Sequence, residues 1–342
     1  MSHLSRSLAA TAAVLAIGAA TAAGAQEELN VYSARHYDSD LALYDAFTEE
    51  TGIEINLLEG DSDELIARIE AEGANSPADV LITVDAGRLW RADQAGLFQP
   101  TDSDTLEERV PDYLRHPDGH WFGLSKRARV IYYAKDAGPP EGVSTYEDLA
   151  TFDGTICIRS SSNIYNQSLL ASIIAAHGLT EAEEWAAGVV DNFARPPAGN
   201  DRAQIRGVAA GECDVAVANT YYLGAMLEEG ADPEDAEAAP KVAFLFPNQD
   251  GRGTHVNVSG AGVVATAPNP ENAVRFIEFL TSNEAQRIFA EGNNEYPVVE
   301  GVDVEGPVFE FGTDFVEDEV NAAALGELNP PAVRIFDRVG WP

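Results

Sequence analysis

The sequence predicts an α/β protein of two doubly wound lobes, joined by a two-segment hinge with a ligand cleft between them. Three observations carry that expectation. Strand-like and helix-like stretches alternate three times between residues 29 and 96, which calls for parallel strands joined by right-handed crossovers. A second alternating set follows from 155 to 218. Two long extended segments, 121–134 and the glycine-rich 255–264, are placed to cross between the two sets. The expected division is a leader at 1–25, a first lobe from 26–126 with 252–298, and a second lobe from 127–251 with 299–342.

Taken in order, 29–32 is extended and His36, Tyr37 and Asp38 follow it as a loop. Asp38 or Ser39 can cap a helix whose Leu41, Tyr44 and Phe47 recur at threes and which Gly52 ends. Residues 53–58 form the next strand, Leu65, Ile66 and Ile69 mark a helix closed by Gly73, 79–84 is a strand and 89–95 a helix closed by Gly96. The polar stretch 101–117 reads as a connection. In the second set, strand 155–159 leads to a helix at 165–177, another at 182–193, a third at 201–210 capped by Asn200 or Asp201, and a strand at 215–218. Asn219 or Thr220 can then cap a helix whose first turn carries Tyr221 and Tyr222. A strand at 241–246, a turn at 247–253, helices at 272–280 and 284–291, and a last amphipathic helix at 332–339 complete the chain.

Composition narrows the class of function. Residues 1–25 hold Arg6 as their sole charged side chain, a small-apolar run from Leu8 to Ala23, and Ala23-Gly24-Ala25 as a cleavage site, the layout of a secretory signal peptide. No later stretch reaches the eighteen or more apolar residues a bilayer span needs, so a soluble protein outside the cytoplasm is expected. The formal net charge is -36, a field that repels nucleic acid and anionic lipid, and the acidic residues are spread widely enough to read as a solvated surface. The two cysteines, Cys157 and Cys213, lie at strand-like segments of the same half, which makes a structural disulfide plausible in an oxidising compartment.

Four tyrosines share one kind of position. Tyr37, Tyr165, Tyr221 and Tyr222 each follow a predicted strand, where open α/β sheets collect ligands, and Tyr37 comes from the first lobe while the others come from the second. Phenolate oxygen is a hard anionic donor suited to a hard trivalent cation. A free phenol loses its proton near pH 10, so ionisation at neutral pH needs a large positive charge, and ferric iron supplies it. Three phenolates neutralise that ion; a fourth leaves an anionic centre that Arg127 or Arg129, in the cationic segment 126–129, can offset. His36 is the available nitrogen donor. Two other readings of the same residues stand beside this one. The rings could cage an organic cation such as a polyamine, and Ser160, Ser161 and Ser162 at a helix start could hold an oxyanion, as substrate or as a carbonate completing a metal's sphere. No GxSxG, HExxH or Walker loop points to an enzyme.

Several stretches resemble the ferric-iron-binding periplasmic proteins of ABC importers, the Fut-type branch above all: Ser-Ala-Arg-His-Tyr at 33–37, Glu-Gly-Ala-Asn-Ser-Pro-Ala-Asp-Val at 72–80, Arg-Ser-Ser-Ser-Asn-Ile-Tyr-Asn-Gln-Ser at 159–168, Ala-Asn-Thr-Tyr-Tyr at 218–222 and Gly-Arg-Gly-Thr-His-Val-Asn-Val-Ser-Gly at 251–260. The resemblance spans the chain beyond the leader. It implies a type II periplasmic-binding-protein fold and iron as cargo, held by Tyr37, Tyr165, Tyr221 and Tyr222 with His36 as a further ligand. In that branch tyrosines hold iron without a strict need for an exogenous anion, so carbonate or water stands as an optional completion of the sphere, and the resemblance implies a monomer that delivers to an inner-membrane permease. Arg127, Arg129, Ser161 and Asn163 are expected just outside the ligand set. An arginine that the family carries shortly after the tyrosine pair is replaced here by Leu223-Gly224-Ala225-Met226, which passes that duty to Arg127.

Overall fold

Short runs rich in Val, Ile and Leu, apolar on both faces, build the strands of the molecule. The computed structural model describes residues 27–35 and 37–342, so the predicted leader and His36 lie outside the described residues. The strands are β1 Glu28–Ser33, β2 Glu54–Glu59, β3 Val80–Val84, β4 Phe122–Ala134, β5 Ile156–Cys157, β6 Val215–Asn219, β7 Val242–Leu245, β8 Val256–Val263 and β9 Tyr296–Pro297. Their order is β2-β1-β3-β8-β4-β6-β5, with β7 and β9 also on β4. The three parallel strands expected at the start are present, β1 pairing with both β2 and β3 across the helices Asp38–Thr51 and Ser62–Glu72.

Both expected crossings are strands, and they pair with each other. β4 runs antiparallel to β8 through Ala128, then changes partners: from Arg129 onward it pairs with β6 and β7. One strand therefore belongs to both halves of the sheet. Glycine lets the two crossings meet, since a Cβ on Gly260 would lie 2.7 Å from the Phe122 carbonyl oxygen. On one side of this seam, Leu29, Phe47, Leu81, Phe122 and Phe276 share a core. On the other, period-two alternation splits β6: Val215 and Val217 enter one cluster with Trp185 and Leu170, while Ala216 and Ala218 enter another with Tyr132 and Phe244.

Local chemistry moved several predicted boundaries. Tyr37 itself occupies the N-cap of Asp38–Thr51, in place of Asp38 or Ser39, and no side chain caps that helix. Asp85 accepts the Gly87 N–H and starts the third helix early, at Ala86–Gln94. The predicted connection at 101–117 contains the helix Asp104–Arg109, capped by Ser103. β5 is only two residues long; the expected strand ends there, and Arg159 to Asn163 form the turn into the helix Ile164–His177.

Two features tie the halves together across the cleft. The Ser168 hydroxyl, on the helix Ile164–His177, donates to Asp85 at 3.0 Å, and the Asn257 amide donates to the same carboxylate at 2.8 Å. Burial lifts the Asp85 carboxyl to about 6, against the opposing pull of the Gly87 and Ser168 hydrogen bonds. The helix Ala322–Glu327 packs on both Ala86–Gln94 and Ile164–His177, with Ala322, Ala323 and Leu325 in the same core as Leu29. Among the described residues no helix is long and apolar enough to cross a membrane.

Cys157 and Cys213 are disulfide-bonded, with Cα atoms 5.8 Å apart and a sequence separation of 56. The bond joins the end of β5 to the turn before β6. In the chain-entropy account, closing a loop of that length stabilises by about 4 kcal/mol. Replacing both cysteines by serine is expected to lower the guanidinium midpoint correspondingly; an unchanged midpoint in the double variant would show that the surrounding core alone holds these strands.

Candidate metal centre

The phenols reach one place because three helices begin there. Tyr221 and Tyr222 lie in the first turn of Thr220–Leu227, directly after β6. Tyr165 is the second residue of Ile164–His177, which Asn163 caps by accepting the Asn166 N–H. Tyr37 stands at the start of Asp38–Thr51, four residues beyond β1. The Tyr221 hydroxyl lies 3.4 Å from that of Tyr165, and the Tyr221 and Tyr222 rings are 4.2 Å apart. Tyr37 is near enough that charge on it acts on Tyr165 and Tyr221. All four tyrosines named from the sequence are therefore neighbours.

Two buried ionic clusters hold these starts in place. Arg129 donates to Asp201 at 3.0 Å, to the Asn219 side chain at 2.9 Å and to the Asn166 side chain at 2.5 Å. Asn219 precedes Tyr221 by two residues and Asn166 follows Tyr165, so one guanidinium fixes the roots of both tyrosine helices. This explains why Asn219, at the N-cap, makes no capping bond: its oxygen is taken. Arg159 shares Asp201 at 2.8 Å.

The second cluster lies against Tyr37 and Tyr221. Glu295 pairs with Arg127 at 2.8 Å and with Arg35 at 2.9 Å, and Arg35 also pairs with Asp40 at 2.8 Å. Arg35 sits 5.1 Å from the centre of the Tyr37 ring and Arg127 5.7 Å from that of Tyr221. Tyr165, Tyr221 and Tyr37 all act on Arg127, and its buried Nη1 has no hydrogen-bond partner among the described residues. Sequence reasoning missed Arg35, Glu295 and Asp201 as site-builders. Arg35 sits inside the motif that contains Tyr37, and the one legible hint at Glu295 is a lone acid in the turn just before Tyr296 and Pro297.

Ser161 and Asn163 serve the backbone. The Ser161 N–H donates to the Pro342 carbonyl at 2.7 Å and its carbonyl accepts from Gln167, while the Ser160 and Ser162 hydroxyls pair with each other at 2.8 Å.

Electrostatics favours the protonated form of Tyr37, Tyr221 and Tyr222. Burial pushes the Tyr37 phenol up to about 12, helped by Glu295 and opposed by Arg127 and Arg35. Burial and then the neighbouring phenols raise Tyr221 far above its ordinary value, and burial followed by Asp201 raises Tyr222. Such a site stays neutral until a strong cation displaces the protons.

Comparison with known proteins shows the family and the fold. Residues 42–320 match the family of bacterial extracellular solute-binding proteins. Iron uptake protein A1 of Synechocystis sp. is 56% identical over 93% of this chain and 88% of its own length. The Fe(3+)-binding periplasmic protein of Serratia marcescens is 31% identical over 85% of this chain and 84% of its own. The structure of the Trichodesmium protein IdiA (FutA), in complex with iron and citrate ligands, superposes with a TM-score of 0.89 at 58% identity and covers 92% of this chain and 100% of that one. The fold is accordingly the two-lobed type II architecture.

Burial pushes the Glu295 carboxyl up, but Arg127 and Arg35 outweigh it and hold it at about 2. A carboxylate depressed in the folded state contributes stability that is fully present above its unfolded value and disappears as pH falls through about 2. Glu295→Gln leaves two buried guanidinium groups short of a partner and is expected to cost about 3–5 kcal/mol at neutral pH. Wild type and variant should converge in thermal stability as the buffer is taken below pH 3; parallel curves down to pH 2 would refute the pairing.

Proposed function

The chain belongs to the bacterial extracellular solute-binding proteins, and from that premise we propose that it captures ferric iron between its lobes and hands it to an ABC permease. The observation that supports this is the placing of four tyrosines at three helix starts, with the Tyr221 and Tyr165 hydroxyls 3.4 Å apart. An aromatic cage for an organic cation presents ring faces to its guest; here oxygens converge. The named relatives bind ferric iron or take part in iron uptake.

In this reading Tyr37, Tyr165, Tyr221 and Tyr222 are the ligands, His36 is a fifth, and carbonate or water fills any remaining position on the cargo. Arg127 stands beside three of the phenols, and its unpartnered Nη1 favours their ionised form. The lobes, 26–126 with 252–298 and 127–251 with 299–342, close about β4 and β8, where the sheet changes partners at Ala128 and Arg129. Tyr37 from the first lobe stands beside the other three from the second, as a closed pair of lobes requires. The protein works as a monomer in the periplasm after loss of its leader, binds without turnover, and releases cargo at the permease.

The test is optical and thermodynamic. Loaded protein should be coloured by phenolate-to-iron charge transfer, and Tyr221→Phe with Tyr222→Phe should bleach it and weaken ferric binding by roughly a hundredfold or more, beyond the loss typical of supporting residues. Each displaced phenol proton should weaken affinity by about tenfold for every pH unit lowered. A colourless protein, or one whose iron affinity ignores pH and the double substitution, would remove the assignment.

A further inference from the structure

We propose that Asp93, His116 and His120 form a second metal site, separate from the tyrosines and suited to a divalent first-row transition ion such as zinc. Asp93 lies in the last turn of the helix Ala86–Gln94, and the two histidines flank the turn His116-Pro117-Asp118-Gly119-His120. Their ring and carboxylate donor atoms all fall within 4.8 Å of one another. His120 Nδ1 meets one oxygen of Asp93, and His116 Nε2 lies 3.5 Å from the other. The two imidazoles stack 4.5 Å apart and 1° from parallel, so one ring must turn out of the stack for both in-plane lone pairs to meet on a single ion.

The scaffold beneath them is rigid. His116 N–H donates to the Trp121 carbonyl and Gly119 N–H to the His116 carbonyl, closing the turn. Gly119 has φ +70 and a Cβ there would sit 2.7 Å from the Thr101 carbonyl oxygen, so the turn is pressed directly onto the chain below. Site side chains are 9, 13 and 26% exposed for Asp93, His116 and His120, which leaves the outer side open to solvent. Three protein ligands with an open position match a tetrahedral ion, whose donors stand about 3.3 Å apart when metal–ligand bonds are near 2 Å. The present spacing needs adjustment by about an ångström to reach that value.

Ligand chemistry sets the class of ion. Imidazole is a borderline donor that suits zinc, copper, nickel and ferrous iron, whereas the phenol cluster suits a hard trivalent ion. Two neutral imidazoles and one carboxylate leave a divalent ion with one positive charge, which a chain of net charge -36 favours. His116 Nδ1 now accepts the Asp118 N–H at 3.1 Å, so its proton is on Nε2. Metal capture shifts that proton to Nδ1, the Asp118 N–H contact opens, and the Asp118 carboxylate, which already acts on this ring, is the acceptor at hand.

The experiment is equilibrium dialysis of the purified protein against buffered zinc, with ferric loading followed in parallel. Wild type should bind one tight equivalent, and His120→Gln and Asp93→Asn should each weaken it at least tenfold while ferric colour is unchanged. An anomalous signal at the zinc edge between these three residues would place the ion. Equal zinc uptake by wild type and His120→Gln, the result of diffuse binding to the acidic surface, would overturn the proposal, as would no tight equivalent in wild type. Should Asp93→Asn fail to fold, His120→Gln with intact ferric colour decides alone.

Discussion

Glu295, held between the guanidinium groups of Arg127 and Arg35, is the interaction on which the metal centre turns. Removing three charges from water is expensive, and the cost is offset only when every member finds good partners. Here the partners come from far apart in the chain: Arg35 follows β1, Arg127 lies on β4 and Glu295 precedes β9. The cluster therefore specifies how the loop bearing Tyr37 meets the crossing strand. Arg129 does the same for the opposite side, joining the residues that flank Tyr165 and Tyr221 to Asp201. Arg127 and Arg129 are two positions apart on one strand, yet each organises a different half of the site. β4 changes partners between them.

In the proposed clamshell the crossing strands are where closure would be seated. β4 and β8 are buried along almost all of their length and paired with each other, so rotation of one half against the other must be absorbed where the pairing ends. Asp85 stands close by, at φ 78, a left-handed conformation uncommon for a residue with a side chain. It holds that shape while accepting from Ser168 across the cleft and from Asn257 on β8. Strain kept at a contact between moving parts is characteristic of switch regions.

Much of the architecture was legible because period and punctuation agree. Glycines end the early helices as expected, with Gly52 in the left-handed conformation after Thr51, and β6 alternates its residues between two cores. The tyrosines were legible for a different reason, since residues after strands of an α/β sheet are carried to one edge whatever the details of packing. Sequence could not reveal which charged residues would be buried. Arg35, Asp201 and Glu295 look like ordinary surface residues in an acidic chain, and only tertiary pairing distinguishes them. Capping failed at Tyr37 and Asn219 for the same cause: tertiary demands on those positions overrode local preference.

Charge balance explains why this pocket fits a trivalent ion better than a divalent one. Arg35 and Arg127 are matched by Asp40 and Glu295, so the buried ionic cluster is neutral as a whole. Arg127 lends the phenols a nearby positive field and one unused donor, but no net charge. Arg129 and Arg159 share the one carboxylate Asp201, so the surround carries one positive charge in excess, and in the proposed site four phenolates would bring a ferric ion and that charge to zero and a ferrous ion to minus one. The buried, mutually repelling phenols resist the more negative state at every count. Selectivity for the higher charge thus follows from what the arginines are already paired with. Further unmatched guanidinium groups would let the proposed site accept the lower charge, and Glu295 is the residue that pairs with Arg127 and Arg35.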